Sequence, residues 1–504
     1  MGGRKGRLFT KSFYLLTTPS TVVKGILSDP SFLDRTYIYT GQPVNVTGYL
    51  NTTANPVEVQ DPLVRVDGES SQLAFPVSQH SPVLKSLRLL VIPIRAQDAS
   101  GNTCGGTEAI TYTKEDIANA LWGAGAANGG YTLSGMYEAC SNGQTLVDAA
   151  NSLVTDFAVL PCSGNTQYGD WTIEGCGDAD EYGWQVLSDS YVTNQLGVTL
   201  SNYDFITYLG PPPTTDCPWL AVSDTNCAGN TDGYICRTWA HGDGWNAIAM
   251  YMHEFGHHFG LTHAGQEVNG QFLEYGDSSC TMGLCCGVRC YNAPHAYQMG
   301  WFPVVQLDGS RLLAGTTVSA LLAPQPQGRG LHVQPDWASG ATPFFLSYRQ
   351  PSGYDKDLAN TAYPAFTAYG GLTNIYASAT WDQNGATTQW LAAIGNSSAV
   401  YSDSATGITF RHLGSEGAGV RVSVCRSGGS ESLESCCYGR DNDCNGVGGQ
   451  DDPACAPFLN QCSTFRYEWD LGTSTSDPGR PSGVSQVVAQ TVVAVAAAPL
   501  AAPG

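Results

Sequence analysis

Charge is scarce in this chain of 504 residues. Asp, Glu, Lys and Arg make up 13% of it, about half the quarter usual for globular proteins. Basic residues are the scarcest, 23 against 44 acidic, for a formal net charge of −21. The densest basic stretch is Arg4-Lys5-Gly6-Arg7, too short to track a phosphate backbone, which excludes nucleic acid as a partner. No apolar run is clean enough for a bilayer span. The best, residues 484–500, carries Gln486, Gln490 and Pro499 and reads as a low-complexity tail with no firm membrane anchor. Phe13-Tyr14-Leu15-Leu16 is apolar but lacks the core and cleavage site of a signal peptide, so no clear signal peptide is visible. No cysteine precedes Cys104, which excludes a thiol latch in the first hundred residues. No C-x-x-C spacing occurs either, which argues against a cytosolic metal cluster.

Cysteine is abundant beyond that point. The chain has 17, clustered at 104–176, 217–236, 280–290 and 425–462, with adjacent pairs at Cys285-Cys286 and Cys436-Cys437. Such clustering points to a disulfide framework and an extracellular location, with one thiol left over by the odd count. Sequons at Asn45, Asn51 and Asn396 agree with secretion. Glycine is also plentiful, at 59 residues, and implies many turns.

One stretch carries most of the chemistry. His253-Glu254-Phe255-Gly256-His257-His258-Phe259-Gly260-Leu261-Thr262-His263 reads H-E-x-x-H-x-x-G-x-x-H. A helix advances about 100° per residue, so His253 and His257 share a face one turn apart and can hold one metal ion. Gly260 can adopt a left-handed conformation, end the helix and bring His263 round as third ligand. Glu254 is then available as the base for a water in the fourth position. His258, one step past a ligand, points about 100° away and is set aside as packed or solvent-facing. Asp243-Gly244-Trp245-Asn246 supplies turn and cap chemistry for the helix start. Met282, nineteen residues past His263, suits a methionine turn beneath the ligands, against the plainer reading of a core methionine. Met299 competes, but Gln298-Met299-Gly300-Trp301 reads as a helix end.

The stretch from His253 to His263, with Asp277 to Gly283 and Cys290 to Trp301, resembles the gametolysin family (peptidase family M11) of green-algal matrix metalloproteinases. Leu87 to Ile94, Phe345 to Arg349 and Gly353-Tyr354-Asp355 resemble further family segments. The resemblance spans about residues 86–425 and is specific between 245 and 301. It implies a metzincin fold and a Zn²⁺ endopeptidase acting on hydroxyproline-rich glycoproteins of a cell wall or extracellular matrix. It also implies His253, His257 and His263 as metal ligands and Glu254 as the catalytic acid/base. One departure is Leu284, where some metzincins place a tyrosine ligand two residues after the methionine.

The layout follows in five parts. Residues 1–85 form a β-rich, prosegment-like region. Residues 86–305 form an α+β catalytic domain, a twisted sheet above a zinc-binding helix. Its marks are a buried strand at Leu87–Ile94, a helix starting at Thr113, and a strand at Tyr203–Leu209. Residues 306–425 form a β-rich, sandwich-like module, 426–470 a Cys-rich segment and 471–504 the tail. In the Cys-rich segment Asp441, Asp443, Asn445 and Asp452 are spaced as in a Ca²⁺ loop, with Gly446 at its turn. A plain acidic turn is the alternative. The expected function is a secreted zinc metalloendopeptidase with a protein or glycoprotein substrate. The rival is a non-catalytic matrix or adhesion protein on the same scaffold. The sequence sets no oligomeric state.

Overall fold

The computed structural model describes residues 84–462 except 106, 213–216, 218, 230–232, 285, 361–370, 379–387, 397–398 and 439, plus the backbone of six outlying strands. Five of these, Ser12–Thr18, Thr21–Ile26, Gln42–Asn51, Glu58–Val66 and Gln486–Ala494, close into a barrel. The strand near the C-terminus lies between the first and third. Side chains of residues 1–83, including the sequons at Asn45 and Asn51, and the rest of the tail lie outside the described residues.

The central sheet is built on Leu89–Ala96, where all but Arg95 are buried. An apolar run of this kind suits a strand covered on both faces. It pairs in parallel with Ala158–Leu160, Leu153–Val154 and Phe205–Leu209. Cys236–Ala240 continues the sheet in parallel, and Ala221–Ser223 closes that edge antiparallel. The first strand starts two residues later than the sequence suggests. Arg88 is bound by Asp204 through its backbone N–H and its guanidinium, and Ser86–Leu87 pairs instead with Leu146–Val147.

Helices cover both faces, so the region is mixed α/β. Lys114–Trp122, Leu133–Cys140 and Ile248–His258 lie on one side, over a core that includes Val91, Phe205, Leu209, Met252 and Phe255. Asp178–Asn194 lies on the other, where Ile92, Ile206, Tyr208 and Trp184 pack. Each such side chain, fully buried, contributes about 1.5–3 kcal/mol. The first helix starts as its sequence indicates: Thr113 and Asp116 form a reciprocal capping box.

The second unit is a two-layer β structure. One sheet has eight strands, ordered Gln271–Leu273, Ala264–Val268, Thr388–Ile394, Leu372–Ser378, Phe344–Arg349, Gly330–Val333, Val304–Leu307 and Val77–Ser78. The other has four, Thr316–Leu322, Gly419–Arg426, Ile408–Glu416 and Val400–Asp403. Leu331, Leu346 and Ile375 pack against Leu322, Phe410 and Val422 between them. The large sheet therefore begins in the hairpin directly after His263, so the wall behind the third histidine is continuous with the β-rich strands.

Disulfides join Cys104–Cys162, Cys140–Cys290, Cys176–Cys217, Cys227–Cys236, Cys425–Cys444 and Cys436–Cys455, and Cys286 and Cys437 are disulfide-bonded as well. Cys280 is the free cysteine among the described residues and is buried. No helix among them is long and apolar enough to cross a membrane.

Candidate metal centre

The histidine helix runs Ile248–His258 and is buried along nearly its whole length. Its start differs from expectation. Ala247, not Asn246, is the N-cap, and no side chain caps the helix. Gly242–Gly244 instead forms a short 3₁₀ turn that leads into it. At the other end Gly260 has φ +80°. Its N–H bonds His257 O, and the Leu261 N–H bonds Gly256 O. This paired pattern is a Schellman ending, which reverses the chain at low steric cost.

The ending delivers His263 beside the helix. The ligand atoms of His253, His257 and His263 all lie within 4.8 Å of one another. Each ring is held through Nδ1. His253 Nδ1 lies 2.9 Å from Thr281 O, His257 Nδ1 2.8 Å from Leu261 O, and His263 Nδ1 2.5 Å from Glu274 Oε1. An Nδ1–H donated to an acceptor leaves the lone pair on Nε2, so the three Nε2 atoms form the open face of the cluster. Burial, and after it the neighbouring imidazoles, lower His253 to about 3. His257 is lowered to about 4, again mainly by burial. Neutral rings with outward-held lone pairs are what a divalent first-row ion requires.

Glu254 sits on the same helix, 6% exposed. Burial pushes its carboxyl up to about 7, against a lowering hydrogen bond from Ser223. Ser223 Oγ lies 2.9 Å from Glu254 Oε2. A carboxylate that gains and loses its proton near neutrality is suited to shuttling protons. His258 faces the sheet instead. It is fully buried, with Nε2 3.0 Å from Arg237 O and 3.2 Å from Thr238 Oγ1.

Met282 is fully buried directly under the helix. A Cβ added at Gly256 would meet its Sδ at 2.5 Å, so the close approach needs glycine there. The turn carrying Met282 is braced from three sides. Asp277 accepts from Ser279 and from Asn292 Nδ2. Arg289 donates to the carbonyls of Ser278 and Leu284. Arg349 and Asp355 form a buried bidentate pair, at 2.5 and 2.9 Å, and Asp355 also accepts from the Cys290 N–H. Met299 caps the helix Ala293–Gln298, in line with the sequence. Leu284 is 64% exposed.

Three residues near the site carry no sequence mark: Ser223, Glu274 and Tyr275. The Tyr275 ring lies 4.0 Å from that of His263 and 6.3 Å from that of His253. Each comes from a strand edge or hairpin whose approach to the helix only tertiary structure sets.

The acidic motif also assembles. Asp441, Asp443 and Asp452 are joined by Glu431, with ligand oxygens within 4.8 Å of one another. Asn445 donates its amide to Asp443 and Asp452, while its oxygen accepts from Val447 N–H. A short helix, Leu433–Tyr438, precedes the loop, although the sequence offers no obvious flanking helix.

Residues 98–370 match the model of the gametolysin peptidase M11 family. Over 444 residues the chain is 24% identical to autolysin from Chlamydomonas reinhardtii, covering 70% of this chain and 67% of that protein. With more than half of its length inside the family model, this chain belongs to the gametolysin peptidases, family M11.

Proposed function

We propose that this peptidase is a secreted zinc-dependent endopeptidase acting on cell-wall or matrix glycoproteins. The observation that carries the reading is the convergence of three Nδ1-anchored imidazoles beside the buried Glu254. His253, His257 and His263 would hold Zn²⁺, which when bound supplies Lewis acidity to a scissile carbonyl. Glu254 takes a proton from the attacking water and delivers it to the departing amine nitrogen. The buried Met282 supports the ligand helix from below. The disulfides support an oxidising, extracellular setting. The name of the algal relative, autolysin, supports a wall or matrix substrate. We further propose that Glu431, Asp441, Asp443 and Asp452 hold a structural Ca²⁺, an ion that favours hard carboxylate oxygens.

The deciding experiment is Glu254→Gln. The variant should fold and keep its zinc, yet hydrolyse a denatured protein at least about a thousandfold more slowly, as loss of a general base entails. Wild-type turnover by zinc-loaded Glu254→Gln would remove Glu254 from the mechanism.

A further inference from the structure

We propose that Ser223 is a positioning residue for Glu254: its hydroxyl fixes one carboxylate oxygen so that the other meets the attacking water. The proposal rests on the reading of Glu254 as the base.

Ser223 is the last residue of the edge strand Ala221–Ser223, and its backbone register is fixed opposite Thr238. The histidine helix packs against that strand. Ser223 Oγ lies 2.9 Å from Glu254 Oε2 and 3.1 Å from Glu254 O. A hydroxyl has one proton to give, and the charged carboxylate is the stronger acceptor. No other group among the described residues hydrogen-bonds the Glu254 carboxylate. That is unusual for a side chain 6% exposed, since buried carboxylates ordinarily collect several donors.

The terminal torsion of a glutamate is broad and nearly twofold. With Ser223 present, Oε2 is engaged and Oε1 is the oxygen left for the water. Without it, the carboxylate samples orientations in which neither oxygen is aligned. Misalignment lowers proton-transfer efficiency steeply, while the backbone register of the Ser223 strand is left in place. The effect belongs to kcat and leaves KM in place.

The contact to Glu254 O admits a merely structural role, as a tie between strand and helix. Three measurements separate the two. In Ser223→Ala, kcat should fall about tenfold, the size of losing one hydrogen bond to a charged group, with KM, zinc-to-protein ratio and Tm near their original values. Ser223→Thr, which keeps the hydroxyl, should restore most of kcat. Unchanged kcat in Ser223→Ala overturns the proposal, and so does a fall accompanied by zinc loss or a lowered Tm. If Glu254→Gln is inactive while Ser223→Ala is fully active, the base stands and the positioning role falls. If Glu254→Gln remains active, both fall.

Discussion

The two clusters of side chains in this peptidase that could hold a metal ion are built in opposite ways. Around His253, His257 and His263 the donors are imidazole rings, each steered by a carbonyl or carboxylate at Nδ1, and burial keeps His253 and His257 neutral, so bringing them together costs little charge repulsion. Around Glu431, Asp441, Asp443 and Asp452 the donors carry like charge within 4.8 Å. Burial, helped by the Asp443 charge, pushes the Asp441 carboxyl up to about 6. Such a cluster is relieved by a proton or a cation, whereas the imidazoles are ready before any ion arrives. The first cluster is set by packing; the second carries a repulsion that a proton or a cation would relieve.

The difference bears first on stability. The histidine site leans on the fully buried Arg349–Asp355 pair, which also holds Cys290 N–H and the carbonyls of Cys290 and Tyr291. Arg349→Ala would leave Asp355 buried and unpaired, a loss of about 3–5 kcal/mol. The counterpart beside the acidic cluster is Arg411, whose Nη2 donates to Cys444 O at 2.6 Å. Arg411→Ala should cost about 1 kcal/mol. Denaturant unfolding of the two variants measures both. Equal losses would show that the two clusters are braced alike.

This contrast also explains what could be read in advance. The three histidines, Glu254 and Gly260 lie within eleven residues of one helix and its ending, so spacing alone set their geometry. Met282 followed from its place nineteen residues past His263, whereas its approach to Gly256 is visible only in the fold. Arg349 and Asp355 drew notice only by resemblance, and nothing in the sequence says they would reach under Cys290. Ser223, Glu274 and Glu431 were not legible. Ser223 arrives on an edge strand thirty-one residues before Glu254. Glu431 lies beyond the motif's spacing and is brought in by the helix Leu433–Tyr438, pinned by Cys436–Cys455. The start of the histidine helix differs from its sequence pattern for a related reason. Asn246 has good capping chemistry, but the 3₁₀ turn at Gly242–Gly244 moves the first helical turn on by a residue and leaves Ala247 at the cap.

Acid should separate the clusters next. His253 and His257 sit at about 3 and about 4, below the ordinary 6.5. Between 6.5 and about 4 the unfolded chain takes up protons that the folded chain refuses, so the metal-free fold loses stability as pH falls through that window. Glu254, raised to about 7, acts in the opposite sense. Its contribution is present below about 4.5 and lost as pH rises through about 7. Zinc held by this site would be lost as His253 and His257 take up protons. Dialysis should therefore leave zinc bound at about pH 5 and strip it at about pH 3. Complete zinc loss already at about pH 6 would mean that burial does not hold His253 and His257 neutral.

The smallest effect tests the acidic cluster. If Ca²⁺ offsets the repulsion among Glu431, Asp441, Asp443 and Asp452, saturating Ca²⁺ should raise Tm by a few degrees, the shift that follows from about 1 kcal/mol in a domain of this size. Only ions that accept several hard oxygens should do this, so Mg²⁺ should give less. Glu431→Gln should abolish most of the shift, because it removes the ligand that the loop itself does not contain. The histidine site provides the control, since Glu431→Gln should leave zinc content and hydrolysis unchanged. A Tm shift of the same size in Glu431→Gln would place the ion elsewhere. No shift in either protein would leave the four carboxylates to be relieved by protons alone, and Tm would then rise as pH is lowered through the Asp441 value of about 6.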